Sequence, residues 1–219
     1  MFIGHFAVAF AGKLAAPQAS LGALTAAALL PDLLWPILVM AGVEQVRVDP
    51  GNTAFTPLAF VSYPFSHSLA TSILWAAIAA SVYWMATRYR RGAMIVALAV
   101  LSHWVLDAVS HRPDLPLAPG SAIRVGLGLW NSVPGTLIVE AGMFIVAVWL
   151  YLAGTRSRDR IGSIGLWAYV GLLAVLYVAS AAGPPPPSGQ AVAITDLGGF
   201  AFVAWAWWID RHRKTSVGS

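Results

Sequence analysis

The chain has 219 residues, of which 58% are hydrophobic and 10% charged. Soluble domains carry about a quarter charged residues, so this composition excludes an ordinary water-exposed globule and points to an integral membrane protein. The net charge of +4 sits in a few short basic stretches, a pattern of membrane topology rather than of nucleic-acid binding. The absence of Cys excludes disulfides, thiolate zinc sites and cysteine nucleophiles.

The opening stretch, MFIGHFAVAFAGKLAAPQAS, is apolar but lacks the basic n-region of a signal peptide, so it is expected to stay in the protein. Residues 2–16 form a short apolar segment interrupted by Lys13, expected to be a half-spanning or tilted helix. Full membrane spans of about 17 to 25 residues are expected near 20–42, 68–87, 92–110, 134–153, 161–181 and 191–209. The expected fold is therefore all-α: a polytopic membrane bundle of six full spans plus a short N-terminal membrane-embedded helix. It forms a single integral membrane domain over 1–219, with chemistry-bearing residues in 1–140 and two additional spans in 161–209.

Six spans put Arg88, Arg90 and Arg91 on the same side as Arg156, Arg158 and Arg160, and as Arg211, Arg213 and Lys214. Lys13 falls there too. The positive-inside rule makes that side, and the C-terminus, cytoplasmic. The ten Trp and six Tyr suit aromatic belts at the two membrane faces. On the other side, residues 43–67 and 111–133 carry the turn chemistry of ordered loops, and 182–190, AGPPPPSGQ, reads as a stiff proline turn.

Ionisable residues inside spans cost about 2.5–3.5 kcal/mol each on insertion scales, and so call for a partner or a function. His5 lies in the N-terminal segment, Asp32 in the first full span within LLPDLLWP, and His67 at the start of the second within PFSHSL. His103, Asp107 and His111 lie on the third, at i, i+4 and i+8, which on a continuous helix makes one stripe about 12 Å long. Glu140 lies six residues inside the fourth span, and Asp196 near the start of the sixth. Most of these groups fall in the outward half of the bundle; Asp32 is deeper, in a helix that Pro31 and Pro36 can kink.

Imidazoles and carboxylates are nitrogen and oxygen ligands suited to zinc, manganese or iron. His5, Asp32, His67, His103, Asp107, His111 and Glu140 exceed the needs of one tetrahedral zinc and would suit two or three ions, most simply Zn, with shared carboxylates. Close metal ions can activate water and stabilise both oxygens of a phosphoester displacement, with Asp32, Asp107 and Glu140 as the carboxylates available for catalysis. Glu140 reads equally as a ligand or as a residue behind one. Arg112 and Arg124 are outward-side cations able to meet an anionic substrate, or simply solvated loop charges. Asp196 reads as a cap or interfacial carboxylate, Asp49 and Asp114 as turn residues beside prolines, and His212 as part of the basic tail.

The ordered set of an early His, Pro-Asp in the first helix, His-Ser, then SHWVLDAVSH resembles the bacterial inner-membrane metal-dependent hydrolase family, of the LexA-binding membrane hydrolase type. It is distantly similar to the zinc-dependent phospholipase C and nuclease superfamily, whose helical bundle holds a trinuclear zinc cluster. The resemblance covers about residues 1–140. It implies that His5, Asp32, His67, His103, Asp107 and His111 are metal ligands, and that the protein sits in a bacterial inner membrane. The superfamily's closing His-x-x-x-Glu is here Thr136 followed by Glu140.

The expected function is a membrane-embedded metal-dependent hydrolase of a phosphoester, one that is lipid-linked and reached from the outer leaflet, with the site facing outward. Membrane lipid is the expected partner, and nucleic acid is not. Two other classes fit the same residues: a proton or metal transporter or relay, and a non-catalytic membrane protein with a closed structural metal site.

Overall fold

The structure is a computed structural model that describes residues 1–216. Ten α-helices carry the fold: α1 Ile3–Ala15, α2 Leu21–Ala28, α3 Leu30–Met40, α4 Pro64–His67, α5 Leu69–Thr87, α6 Arg90–Ser110, α7 Val133–Gly154, α8 Arg160–Ala182, α9 Gly189–Asp196 and α10 Gly199–Arg211. Helix starts follow from local chemistry. Ser20, Ser68, Ser132, Asp159 and Ser188 each accept a backbone N–H of the first turn, which satisfies a donor that the helix itself cannot.

Among the described residues, five segments are long and apolar enough to cross a membrane: α5, α6, α7, α8 and the α9–α10 pair. The α2–α3 pair makes a sixth if its 54° bend is counted within one span. These match the six spans expected from the sequence. The bend has its cause in Pro31, which has no N–H to continue the α2 ladder and sits in the first turn of α3. Ile73, Leu74, Val82, Ile145, Trp149, Val175 and Val178 are exposed on the flanks of α5, α7 and α8. Large apolar side chains on that scale suit hydrocarbon and not water.

The N-terminal segment is a short apolar helix of 13 residues, and it is a central post. Helix α1 packs against α7, α2 and α6, and Ile3, His5, Phe6, Ala7, Ala9, Phe10 and Lys13 on it are buried. A helix apolar on all sides belongs inside. Its aromatic residues join the main core, where Phe10 meets Phe144 and Tyr151, and Phe6 meets Tyr169 and Phe202.

The two ends of the bundle differ. At one end, β5 (Thr155–Ser157) pairs antiparallel with β6 (Arg213–Thr215), joining the α7–α8 turn to the C-terminal tail. Buried Arg213 donates to Thr155, Ser157 and Gly162 there, and Lys13 Nζ reaches Asp210 Oδ2 at 2.8 Å. At the other end, the loops expected only to be ordered contain two small hairpins. These are β1 (Gln45–Val48) with β2 (Leu58–Ser62), and β3 (Leu115–Pro116) with β4 (Arg124–Val125). A 3₁₀ turn, Leu129–Asn131, leads into α7.

Candidate metal centre

The second end holds the buried ionisable residues. Asp107 lies three residues from the C-terminal end of α6 and His103 one turn deeper. Helix α1 brings His5 across to them, and its ring stacks on His103 at 3.6 Å between centroids, with 5° between planes. The bent α2–α3 pair brings Asp32, and the short α4 brings His67. His5, His67, His103 and Asp107 are all buried, whereas the Asp32 side chain is 39% exposed. The cluster is therefore closed on four sides and open at Asp32.

Two groups among the described residues have ligand atoms close enough to hold an ion together: His5, His103 and Asp107; and Asp32, His67 and His103. They share His103. Four contacts close a ring. Asp32 Oδ1 lies 3.3 Å from His67 Nε2 and 3.4 Å from His103 Nε2, and Asp107 Oδ2 lies 3.7 Å and 3.2 Å from the same two nitrogens. Neighbouring ligands on one ion, with bonds of about 2.1 Å, stand about 3.0–3.4 Å apart between right-angled and tetrahedral geometry. The Asp32, His67 and His103 edges have that size; Asp107 joins His103 at 3.2 Å but falls outside the group that holds Asp32. Asp107 Oδ1 faces the other way, 3.1 Å from His5 Nε2 and 2.5 Å from the Met1 amino group.

His103 is oriented from behind. Its Nδ1 is 2.8 Å from the carbonyl of Ala28, at the end of α2 where the bend interrupts the helical ladder. A carbonyl only accepts, so Nδ1 carries the proton and a neutral His103 presents a bare Nε2 to the carboxylates. That Nε2 is buried and not aligned to donate a hydrogen bond to either oxygen. Its lone pair is directed into the ring rather than at one partner.

His67 also has a partner behind it. Its Nδ1 is 2.7 Å from Ser66 Oγ, which donates to Glu44 Oε2 at 2.5 Å. Glu44 is buried and its Oε1 accepts the N–H groups of Phe65 and Ser66. Neither Glu44 nor Ser66 was identified from the sequence. Ser66 had one signal, its place directly before His67; Glu44 had none, since its partners lie more than twenty residues away.

Two expected ligands stand outside both groups. His111 caps α6: its N–H still bonds the Asp107 carbonyl at 2.8 Å, and its ψ of 150° turns the chain that follows away from the helix. Its ring packs on Trp130 at 4.3 Å and Phe60 at 4.9 Å, and its Nδ1 is 3.0 Å from Asp114 Oδ1. Glu140 Oε2 accepts Phe2 N–H at 2.8 Å and Gly4 N–H at 3.2 Å, so this carboxylate caps the start of α1. Its Oε1 is buried without a hydrogen-bond partner.

Arg112 is exposed and its Nε donates to Asp114 Oδ2 at 3.2 Å. Arg124 donates to the Ser121 carbonyl and lines a cavity of about 200 Å³ with Tyr63, Pro64 and Pro116. The structure brings neither arginine into the ligand groups. Asp114 is more than a turn residue: burial opposes its charge, but hydrogen bonds and charge from His111, with Tyr63 and Arg112, hold its carboxyl below the ordinary value. Asp196 ends α9 and is exposed, at the break before α10. His212 pairs with Asp159 at the opposite end. No protein-family model, characterised protein or solved structure matches this chain.

Proposed function

We propose that this protein is a membrane-embedded, metal-dependent hydrolase acting on a phosphoester carried by a membrane lipid. The observation that carries the reading is the ring of Asp32, His67, Asp107 and His103. Asp32 with His67 and His103, and Asp107 with His103, stand there at the spacing of neighbouring metal ligands. Two buried carboxylates beside His103 call for positive charge, which a metal ion or a proton on the ring would supply.

Asp32, His67 and His103 would hold one divalent ion, and His5 with Asp107 would begin a site for another beside it. When bound, such ions supply Lewis acidity toward a phosphoryl oxygen and activate water. The protein's own groups then have distinct tasks. Asp107, fully enclosed, faces His5 with one oxygen and His103 with the other. Asp32 stands at the open edge, where a substrate and its water would enter, and is the carboxylate placed to accept a proton. Glu140 holds α1, and through it His5, in register.

A lipid-linked substrate suits an opening within the bundle's outer half, and the resemblance of the ordered His and Asp motifs points to the same reaction class. The basic clusters at the far end would place the site on the outer face of a bacterial inner membrane, with the C-terminus in the cytoplasm. Asp107→Asn keeps the shape and removes the bridging charge. In purified protein assayed against phosphoester substrates, it should lose at least 100-fold in hydrolysis while retaining its thermal midpoint to within a few degrees. Unchanged hydrolysis would remove the reading.

The relay alternative has its own supporting observation: the Met1 amino group and three imidazoles around Asp107 form a continuous polar chain. Proton or metal flux in proteoliposomes, abolished by Asp107→Asn in protein that hydrolyses nothing, would favour it.

A further inference from the structure

Glu44 lies outside both ligand groups, yet it is as deeply buried as they are. Among the described residues, no lysine, arginine or histidine forms an ion pair with it. It is held instead by three donors: the N–H groups of Phe65 and Ser66 at 2.8 and 2.9 Å on Oε1, and the Ser66 hydroxyl at 2.5 Å on Oε2. Backbone N–H groups can only donate and the Ser66 hydroxyl donates to Oε2, so both oxygens act as acceptors. This fixes the direction of every proton in the chain that follows. Ser66 has one hydroxyl proton and gives it to Glu44. Its oxygen can then only accept from His67, 2.7 Å away, so His67 Nδ1 must carry a proton.

We infer that Glu44, acting through Ser66, is a positioning residue that holds a proton on His67 Nδ1 and turns Nε2 toward Asp32 and Asp107, where it meets Asp32 Oδ1 at 3.3 Å. The inference rests on the proposed metal centre for its purpose, but its structural content stands without a metal. It assigns the loop after α3 a role in the site. It also explains why a four-residue helix can present a ligand firmly: Glu44 accepts the N–H groups of its first turn, where a helix has no internal acceptors. His103 and His67 are then built on one plan, each with its Nδ1 proton taken from behind, one by the Ala28 carbonyl and one by the Glu44–Ser66 pair. Outer partners of this kind commonly change metal affinity by about 10- to 100-fold when removed.

Glu44→Gln is the informative variant because it reverses the chain without changing its shape. The amide oxygen can still accept from Phe65 and Ser66, while the amide NH₂ would face Ser66 and donate to it. Ser66 would then donate to His67 Nδ1 and drive the ring proton to Nε2, pointing at the carboxylates. A residue that only secured the loop would tolerate this change better than Glu44→Ala.

The experiment combines two readings on the full chain in detergent. Zinc affinity is measured by competition with a chromophoric chelator, and the tautomer of His67 by ¹⁵N chemical shifts in metal-free protein at alkaline pH, with His67→Ala to assign the signal. The expected result is an Nδ1–H tautomer in the unaltered protein. Glu44→Gln should shift it toward Nε2–H and weaken zinc binding at least 10-fold, with the thermal midpoint of the metal-free protein kept. Ser66→Ala should weaken zinc binding while leaving a mixed tautomer. An Nε2–H tautomer in the unaltered protein, or unchanged zinc affinity in Glu44→Gln, would overturn the inference. If the unaltered protein bound no zinc, the metal-centre reading would fail, and the tautomer measurement would still decide the role of Glu44.

Discussion

Asp114 illustrates how much a single side chain can draw from partners that sequence spacing does not reveal. It accepts from Tyr63 Oη at 2.9 Å and meets His111 Nδ1 at 3.0 Å, tying the loop after α6 to the strand before α4. Burial and the neighbouring Asp114 in turn keep the Tyr63 phenol protonated well above its ordinary range. Because the Asp114 carboxyl is held below its ordinary value near 3.9, the unfolded chain takes up this proton first as pH falls. The stability it contributes is complete above about pH 5 and is lost as pH drops through its lower folded value. Asp114→Asn should lower the thermal midpoint at pH 6, by about 1–3 kcal/mol for partners left unpaired, and should soften the fall below pH 4. Trp130, packed on His111, provides the fluorescence signal; equal acid sensitivity in both proteins would contradict the assignment. At this scale, the His103–Asp107 pair was readable from the sequence because i, i+4 spacing on a helix fixes a shared face. The surroundings of His111 were not, because its ring packs on Phe60 and Trp130 and meets Asp114, and Glu44 was not, because its contacts are made only by the folded chain.

At the scale of elements, hydropathy and length sufficed to place the spans, since a membrane demands long apolar helices whatever their packing. They did not reveal that α1 is central. Its Lys13 looked like an interruption, but the Nζ is satisfied by the Ala19 carbonyl at 2.8 Å and by Asp210, a pairing about 200 residues apart in sequence. The bend between α2 and α3 was foreshadowed by its prolines, but its consequence was not: a helix-end carbonyl left free to orient His103. The contact that holds α2 in place is equally specific. A Cβ on Gly22 would lie 2.8 Å from the Trp207 Cα and 2.9 Å from its backbone nitrogen, so α2 and α10 approach with no room for a side chain. Gly22→Ala should therefore push the helices apart and cost about 1–3 kcal/mol, read as a lower thermal midpoint. An unchanged midpoint would show that the two helices do not meet this closely.

For the molecule as a whole, the separation of its two ends is the organising feature. The three basic clusters gather at one end, where β5 and β6 clasp the tail, and the imidazoles and carboxylates gather toward the other. The sequence anticipated this polarity through the parity of the spans and the placement of charge. It could not supply the ring itself, which needs the bend, the central helix and the short α4 to arrive together. Metal content is the direct test of that ring. It should be measured by mass spectrometry on protein purified in detergent without chelator, beside a His103→Ala/Asp107→Ala double variant. Zinc or manganese at one or more ions per chain, lost in a double variant that still folds, is the predicted result. Folded protein without stoichiometric metal would contradict the account.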